Sequence, residues 1–153
     1  MSRVIILDSG PSGLLTNPKK TPEPRAITRW ALDIMAAGHQ LIVPAIADYE
    51  VRRELERVGH RRGLAQLNAF NATRADRYLP LTDSALRLAA KLWAQARNAE
   101  LPTADPKELD CDVLLAAQAL TLDVPSSELM VATTNVGHLS RFVTADLWAN
   151  ILP

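Results

Sequence analysis

Four short stretches of this chain place oxygen-bearing side chains where an apolar run stops or a buried one begins. Asp8 ends the run Val4 to Leu7 in SRVIILDSGPSG. Glu50 follows closely on Leu41 to Val43. Asp110 and Asp112 open LDCDVLLAAQALTL, and Thr133 and Asn135 follow Met130 to Ala132. Carboxylates gathered in one place repel, by on the order of 4 kcal/mol for two charges about 4 Å apart at an effective dielectric near 20. A bound cation offsets that repulsion. The donors are oxygens, and no His/Cys ligand spacing accompanies them, which favours Mg²⁺ or Mn²⁺ over Zn²⁺. Such a site can activate water and neutralise a phosphodiester during in-line displacement.

Each residue alone also has a structural reading. Asp8 starts a turn, with Ser9, Gly10, Pro11 and Gly13 taking the backbone out of the sheet. Glu50 is a solvated helix charge. Asp110 is an N-cap, and Asp112 in the first turn favours the helix dipole. Thr133 and Asn135 are turn residues, and His138 is a packed or surface histidine. The joint placement at element ends is what points to a site. Asp110 and Asp112 are two apart and do not share a helix face, so one of them is expected to reach the metal, and Asp112 is chosen.

The elements that must position these groups are legible in outline. Val4 to Leu7 has no polar alternation, as expected of a strand buried on both faces of a parallel sheet, with Asp8 at its carboxyl end, the edge where such sheets bind ligands. Residues 11 to 24, with four prolines, read as a loop. A helix is predicted from about Pro24 to Ala37, carrying Ile27, Trp30, Ala31 and Ile34 inward and stopped by Gly38. Leu41 to Val43 is a second strand ending at Pro44. A helix from Ala45 to Val58 follows, with Ala47, Val51, Leu55 and Val58 as its core stripe and Glu50 and Glu54 on one flank. Residues 60 to 78 read as helical, and Leu79 and Leu81 as a short edge segment. Thr82 or Asp83 caps a helix to about Ala99 with Ala85, Leu88, Ala89, Leu92, Trp93 and Ala96 inward. Residues 100 to 109 read as a loop, Leu109 to Leu122 as a buried helix, Met130 to Ala132 as a strand and Phe142 to Thr144 as one more, with Trp148 and Ile151 packing the end. Together these predict an α/β fold, a three-layer α/β/α sandwich around a short, mostly parallel sheet, with an all-helical domain as the alternative.

Bulk properties bound the function. The chain has 153 residues, the size of one domain, and 1–153 is read as a single unit. Lys plus Arg is 17 and Asp plus Glu is 17, so a generally basic nucleic-acid binder is excluded but a local patch is not. The single Cys111 permits no internal disulfide, which points to a reducing cytoplasm. No signal-peptide pattern and no membrane-length apolar run is present. The local patch is Arg52, Arg53, Arg57, Arg61 and Arg62, with His60, followed by Arg74 and Arg77. It is either a solvated face balanced by Glu54 and Glu56, or a strip that grips a nucleic-acid backbone.

VIILDSG, PAIADYEVRREL, DCDVLLAAQAL and VATTNVGHL, in that order, resemble the PIN-domain family, most closely the VapC-type toxins of bacterial toxin–antitoxin pairs. The likeness spans Arg3 to about Trp148. It implies a PIN fold, a Mg²⁺- or Mn²⁺-dependent endoribonuclease acting on RNA, a homodimer and a cognate antitoxin that blocks the acidic site; the lack of a long apolar run separately predicts no membrane span. Carried over residue by residue, Asp8, Glu50 and Asp112 match the family's acidic positions and Thr133 its Ser/Thr, with Ser9, Asp110 and Thr133 in supporting places. Asn135 stands where many members have a fourth Asp. That departure removes a charge and makes one metal ion the simpler expectation, with Asn135 positioning a water or the substrate. Two competing functions remain: a PIN-like module that binds RNA or protein without cutting, and a phosphatase on a related sandwich, which GPSG, lacking the P-loop Lys, does not support.

Overall fold

Ile5, Ile6 and Leu7 are wholly inaccessible to solvent, as the unbroken apolar run requires. In the computed structural model, which describes residues 2–99, 106–137 and 139–153, they are the last three residues of β1 (Val4–Leu7). β1 pairs in parallel with β2 (Gln40–Pro44) on one side and with β4 (Leu129–Thr133) on the other. β3 (Tyr78–Leu79) and β5 (Ala145–Leu147) form the two edges, also parallel, giving the order β3-β2-β1-β4-β5. The chain therefore builds outward from β1 to β3, returns, and builds outward again from β4. That reversal puts a crevice at the carboxyl ends of β1 and β4, where open α/β sheets bind ligands.

Alternate residues of β1 face two different cores. Ile5 and Leu7 join Leu41, Val43 and Ala132 against α2 (Pro22–Ala36), whose Ile27, Trp30, Ala31 and Ile34 are buried as predicted. Ile6 joins Ile42 and Val131 against α6 (Pro106–Leu120) through Leu115, Ala116 and Ala119. α5 (Asp83–Asn98) packs outside α6, Ala85, Ala89 and Ala96 meeting Leu109, Val113 and Ala117. The fold is thus the α/β/α sandwich expected from the sequence. α3 (Ala45–Val58) has the predicted bounds, and α4 (Arg61–Ala72) follows it, with Gly59 between them in the left-handed conformation at φ 67°. Trp30 Nε1 donates to the Ile151 carbonyl at 2.8 Å and its ring meets Trp148 edge-on, which fixes the carboxyl terminus as expected.

Several expectations are corrected. The segment read as a loop from residue 11 begins instead within α1 (Ser9–Leu15), capped by Asp8, so Ser9 to Gly13 is the start of a helix and not a turn. Pro11 in the first turn needs no N–H, which is why a proline-rich stretch can begin a helix there. The helix predicted to begin at Leu109 starts at Pro106, so Asp110 lies inside the first turns and is not an N-cap; residues 100–105 of the predicted loop, and His138, lie outside the described residues. Helical structure after His60 stops at Ala72, not Tyr78. The last strand is Ala145–Leu147 and not Phe142 to Thr144, because Leu139–Arg141 form a 3-10 turn first. Val58 and Trp93, assigned inward, are 58% and 38% exposed. Val58 is the last residue of its helix, and Trp93 lies on the outer helix with Arg97 stacked over its ring at 5.5 Å.

Candidate active site

Asp8 is held from two directions. Its Oδ1 accepts from the Ser9 N–H at 2.7 Å and caps α1, while its backbone N–H donates to the Ala132 carbonyl at 3.0 Å. Its Oδ2 accepts from the Thr133 hydroxyl at 2.8 Å. That hydroxyl in turn accepts from the Asn135 backbone N–H at 3.1 Å, tying the turn after β4 to the same carboxylate. Thr133 is buried, so its hydroxyl is spent on these partners. α1 passes unusually close to the turn after β4. A Cβ on Gly10 would overlap Thr134 Oγ1 and stand 2.7 Å from its Cγ2 and 3.0 Å from its Cβ, so only glycine fits.

Glu50 comes from the second turn of α3, and the start of that helix is fixed by a residue that sequence reasoning missed. Gln118, 1% exposed in α6, accepts from the Ile46 N–H at 3.0 Å and donates to the Leu79 and Pro80 carbonyls at 3.1 and 3.3 Å. One amide thus joins α6, the start of α3 and the β3 edge. The available signal was a lone polar residue within LLAAQAL, a position that must be satisfied if buried.

Asp8, Glu50, Asp112, Thr133 and Asn135 line one open pocket of about 600 Å³ at the carboxyl edge of the sheet, with Ser9 and Asp110 also in its wall. The structure brings together every acidic and supporting residue the sequence singled out. Their electrostatics are those of crowded acids. Burial, and then the Asp8 charge, push the Glu50 carboxyl up to about 7, against the opposing pull of Arg53 and a hydrogen bond with Cys111. Burial, Asp8 and Glu108 push Asp112 up to about 6, with Arg141 opposing. Burial raises Asp8 itself, and its bonds from Ser9 and Thr133 partly counter this. Burial and Glu50 raise the Cys111 thiol to about 11, so it is a protonated donor and not a nucleophile.

The predicted basic residues are not brought together in the same way. Arg53 alone of the five lines the pocket, 5.2 Å over the Tyr49 ring. Arg52 is turned to Asp48, which it grips through Nε and Nη2 at 2.9 and 3.0 Å, and to Asn68. Arg57 pairs with Glu54 at 2.9 Å. Arg61 and Arg62 are exposed at the start of α4, outside the pocket wall. Arg77, which follows that stretch, is 2% exposed and donates to the Leu41 carbonyl at 2.8 Å, so its role is in the core.

Among the described residues no group of three or more His, Cys, Asp or Glu side chains stands close enough together to hold a metal ion directly. The donor set nevertheless suits a hard cation. Three carboxylates, each with a raised pKa, face one solvent-open space, and Mg²⁺ keeps several waters that span the gaps between few protein ligands. Asp8, Glu50 and Asp112 are the residues that would hold it.

No family model matches the chain, and no curated protein matches it. Solved structures do. One chain of the crystal structure of VapBC2 from Rickettsia felis bound to a DNA fragment from their promoter aligns at a TM-score of 0.68 and 13% identity, over 95% of this chain and 98% of that one. The crystal structure of FitAcB from Neisseria gonorrhoeae gives 0.67 and 17%, over 96% and 99%. DNA-bound VapBC from Salmonella typhimurium gives 0.66 and 18%, over 97% and 99%. The fold expected from the four motifs is therefore the fold these structures share with this chain.

Proposed function

We propose that this chain is a metal-dependent endoribonuclease of VapC type, the toxin of a toxin–antitoxin pair. The observation that carries the reading is the convergence of Asp8, Glu50 and Asp112 on one open pocket, with Asp8 braced by Thr133. A Mg²⁺ or Mn²⁺ ion bound there supplies water activation and neutralises phosphodiester charge. The chain's own residues do the rest. Ser9 and Thr133 fix the direction of the Asp8 carboxylate. Arg53, at the rim and stacked on Tyr49, offers a guanidinium to a backbone phosphate. Asn135, on the exposed turn after β4, orients a water or the scissile group.

The VapBC structures support an antitoxin as partner, by likeness of fold. A homodimer and RNA as substrate rest on the resemblance. No described helix is long and apolar enough to cross a membrane.

The test is a gel assay on mixed cellular RNA with Mn²⁺ or Mg²⁺, with chelator, and with Asp8→Asn. Discrete fragments with 5′-phosphate ends that require both metal and Asp8 support the reading. Ends carrying 2′,3′-cyclic phosphate mean that a ribose hydroxyl attacked, and they overturn the mechanism. The second reading is a non-cutting RNA- or protein-binding module. Two observations favour it: Asn135 in place of an acid, and the absence, among the described residues, of three or more His, Cys, Asp or Glu side chains close enough to hold a metal ion directly. RNA binding without cleavage by antitoxin-free protein would select it.

A further inference from the structure

The acidic pocket does not end at its own wall. It shares Ser9, Gly10, Glu50 and Arg53 with a neighbouring groove of about 500 Å³ that runs between α1 and α3, past His60, to Asn17, Pro18 and Lys19. That groove shares Asn17, Pro18 and Lys19 with a third depression of about 480 Å³, lined by Lys20, Arg25 and Arg29 at the start of α2. The three form a continuous path from the carboxylates across the segment after α1.

Beyond Glu50 the charged side chains along this path are cations with one exception. The cations are Arg53, Lys19, Lys20, Arg25 and Arg29. The only other acid in its wall among the described residues is Glu54, already bridged by Arg57 at 2.9 Å. Lys19, Lys20 and Arg25 have no ion-pair partner among the described residues, and Arg29 has one, Asp33, at 3.3 Å. Pro18, Val51, Leu55 and Leu32 add apolar surface to the walls of the same depressions. A row of exposed cations accompanied by apolar surface, leading out of an acidic pocket, is complementary to a single nucleic-acid strand whose phosphates meet the cations and whose bases rest on the apolar surface.

We infer that an RNA strand leaving the acidic pocket is carried along Lys19, Lys20 and Arg25 over the segment after α1, and not along Arg61 and Arg62 at the start of α4. This rests on the ribonuclease reading and assigns that site its strand-guiding residues. None of the three lysine and arginine residues lies in the acidic pocket, so their expected effect is on KM and binding with kcat nearly unchanged.

The test measures binding of a labelled mixed-sequence single-stranded RNA pool to the Asp8→Asn protein across a salt series, and cleavage by the protein with Asp8 intact. Lys19→Glu/Lys20→Glu/Arg25→Glu is compared with Arg61→Glu/Arg62→Glu, and Lys19→Gln/Lys20→Gln/Arg25→Gln serves as the milder variant. The track variants are expected to bind about tenfold or more weakly and to flatten the salt slope by about two, the loss of three single-strand phosphate contacts, while the Arg61/Arg62 variant matches the parent. Unchanged affinity and slope in the track variants, or a loss confined to the Arg61/Arg62 variant, overturns the track and leaves the ribonuclease reading standing. Binding of polyglutamate that needs the track, with RNA binding untouched, assigns it to an acidic protein segment and overturns it as well. Folded parent protein that neither binds nor cuts RNA overturns the ribonuclease reading, and the track with it.

Discussion

The hydroxyl of Thr133 donates to the carboxylate of Asp8 at 2.8 Å, across 125 positions of sequence. The two residues end the parallel neighbours β1 and β4, at the point where the order of the sheet reverses. The bond fixes one oxygen of Asp8 while the Ser9 N–H fixes the other, so the carboxylate presents its remaining lone pairs in a set direction. Removing the donor while keeping the shape isolates this effect. Thr133→Val is expected to raise the Mn²⁺ concentration needed for half-maximal cleavage by about 10-fold or more, in the range found for partners that orient metal ligands. Thr133→Ser restores the donor and is expected to recover most of the affinity. Isothermal titration with Mn²⁺ checks both.

Crowding of acids has a signature in the metal-free protein. The Glu50 carboxyl is raised from 4.5 to about 7 and that of Asp112 from 3.8 to about 6, in both cases first by burial and then by the Asp8 charge. A carboxyl with a raised folded pKa binds more protons folded than unfolded between the two values. Its contribution to stability is therefore complete below its unfolded pKa and is lost as pH rises through the folded one. The metal-free fold is expected to lose stability from about pH 4 to about pH 7 through these two groups, and Mn²⁺ to reverse the trend by favouring the charged forms. Thermal melts at pH 5.5 and pH 7.5, with chelator and with Mn²⁺, check the sign. Glu50→Gln is expected to raise the metal-free melting temperature at pH 7.5 by a few degrees and to abolish cleavage.

What was legible in the sequence, and what was not, divides along a physical line. Ile27, Trp30, Ala31 and Ile34 followed from periodicity and the stop at Gly38, and the bounds of Ala45–Val58 from periodicity after Pro44, because local spacing decides which face is buried. The acids followed because strand ends in a parallel sheet share one edge. The helix at Ser9–Leu15 did not follow. Gly10, Pro11 and Gly13 all oppose helix in isolation, and it forms because Asp8 caps it and Gly10 lets it pass Thr134. Nor did the fate of the arginines. Arg52 and Arg53 are adjacent and so take different helix faces, one gripping Asp48 and the other reaching the pocket, while Arg57, one turn beyond Arg53, is held by Glu54 three residues before it.

Gly10 is a packing requirement with a functional consequence. Rotating Thr134 moves its Oγ1 and Cγ2 out of the way of a new Cβ but not its own Cβ at 3.0 Å, so the α1 start must shift. Gly10→Ala is expected to destabilise the fold by about 1–3 kcal/mol, the usual cost of overpacking, and to lower Mn²⁺ affinity because α1 carries the Ser9 N–H that holds Asp8. Gly10→Ala/Thr134→Gly is expected to recover stability beyond the sum of the single changes. Urea denaturation of the four proteins of the cycle measures the coupling.

Gln118 gives a remote handle on Glu50. Gln118→Leu leaves the Ile46 N–H and the Leu79 carbonyl buried without the partner they now have. Each such group costs about 1–3 kcal/mol, so a drop in the urea midpoint at unchanged m-value is expected. The start of α3 is also freed, and with it Glu50 one turn on. Cleavage is therefore expected to fall by more than unfolding accounts for, even at temperatures where the variant is fully folded. Gln118→Glu, which keeps the acceptor for Ile46 and exchanges the amide donor, separates the two ends of the contact.

Asn135 is the position where adding charge is more informative than removing a side chain. It lies on the exposed turn after β4, its backbone N–H bound to Thr133, and it faces the same pocket as Asp8, Glu50 and Asp112. Asn135→Asp adds a fourth carboxylate beside Asp8, whose charge already raises Glu50 and Asp112. Without metal, the added repulsion is expected to lower the melting temperature at pH 7.5 and to push Glu50 and Asp112 further up. With Mn²⁺, the same charge becomes a ligand or a holder of ligand water, and affinity is expected to rise several-fold. Opposite signs in the two conditions are the diagnostic result, because a residue serving only the turn would lose stability in both. Calorimetric melts with chelator and with Mn²⁺ distinguish these cases, and cleavage at limiting Mn²⁺ shows whether the asparagine restrains the activity of the site.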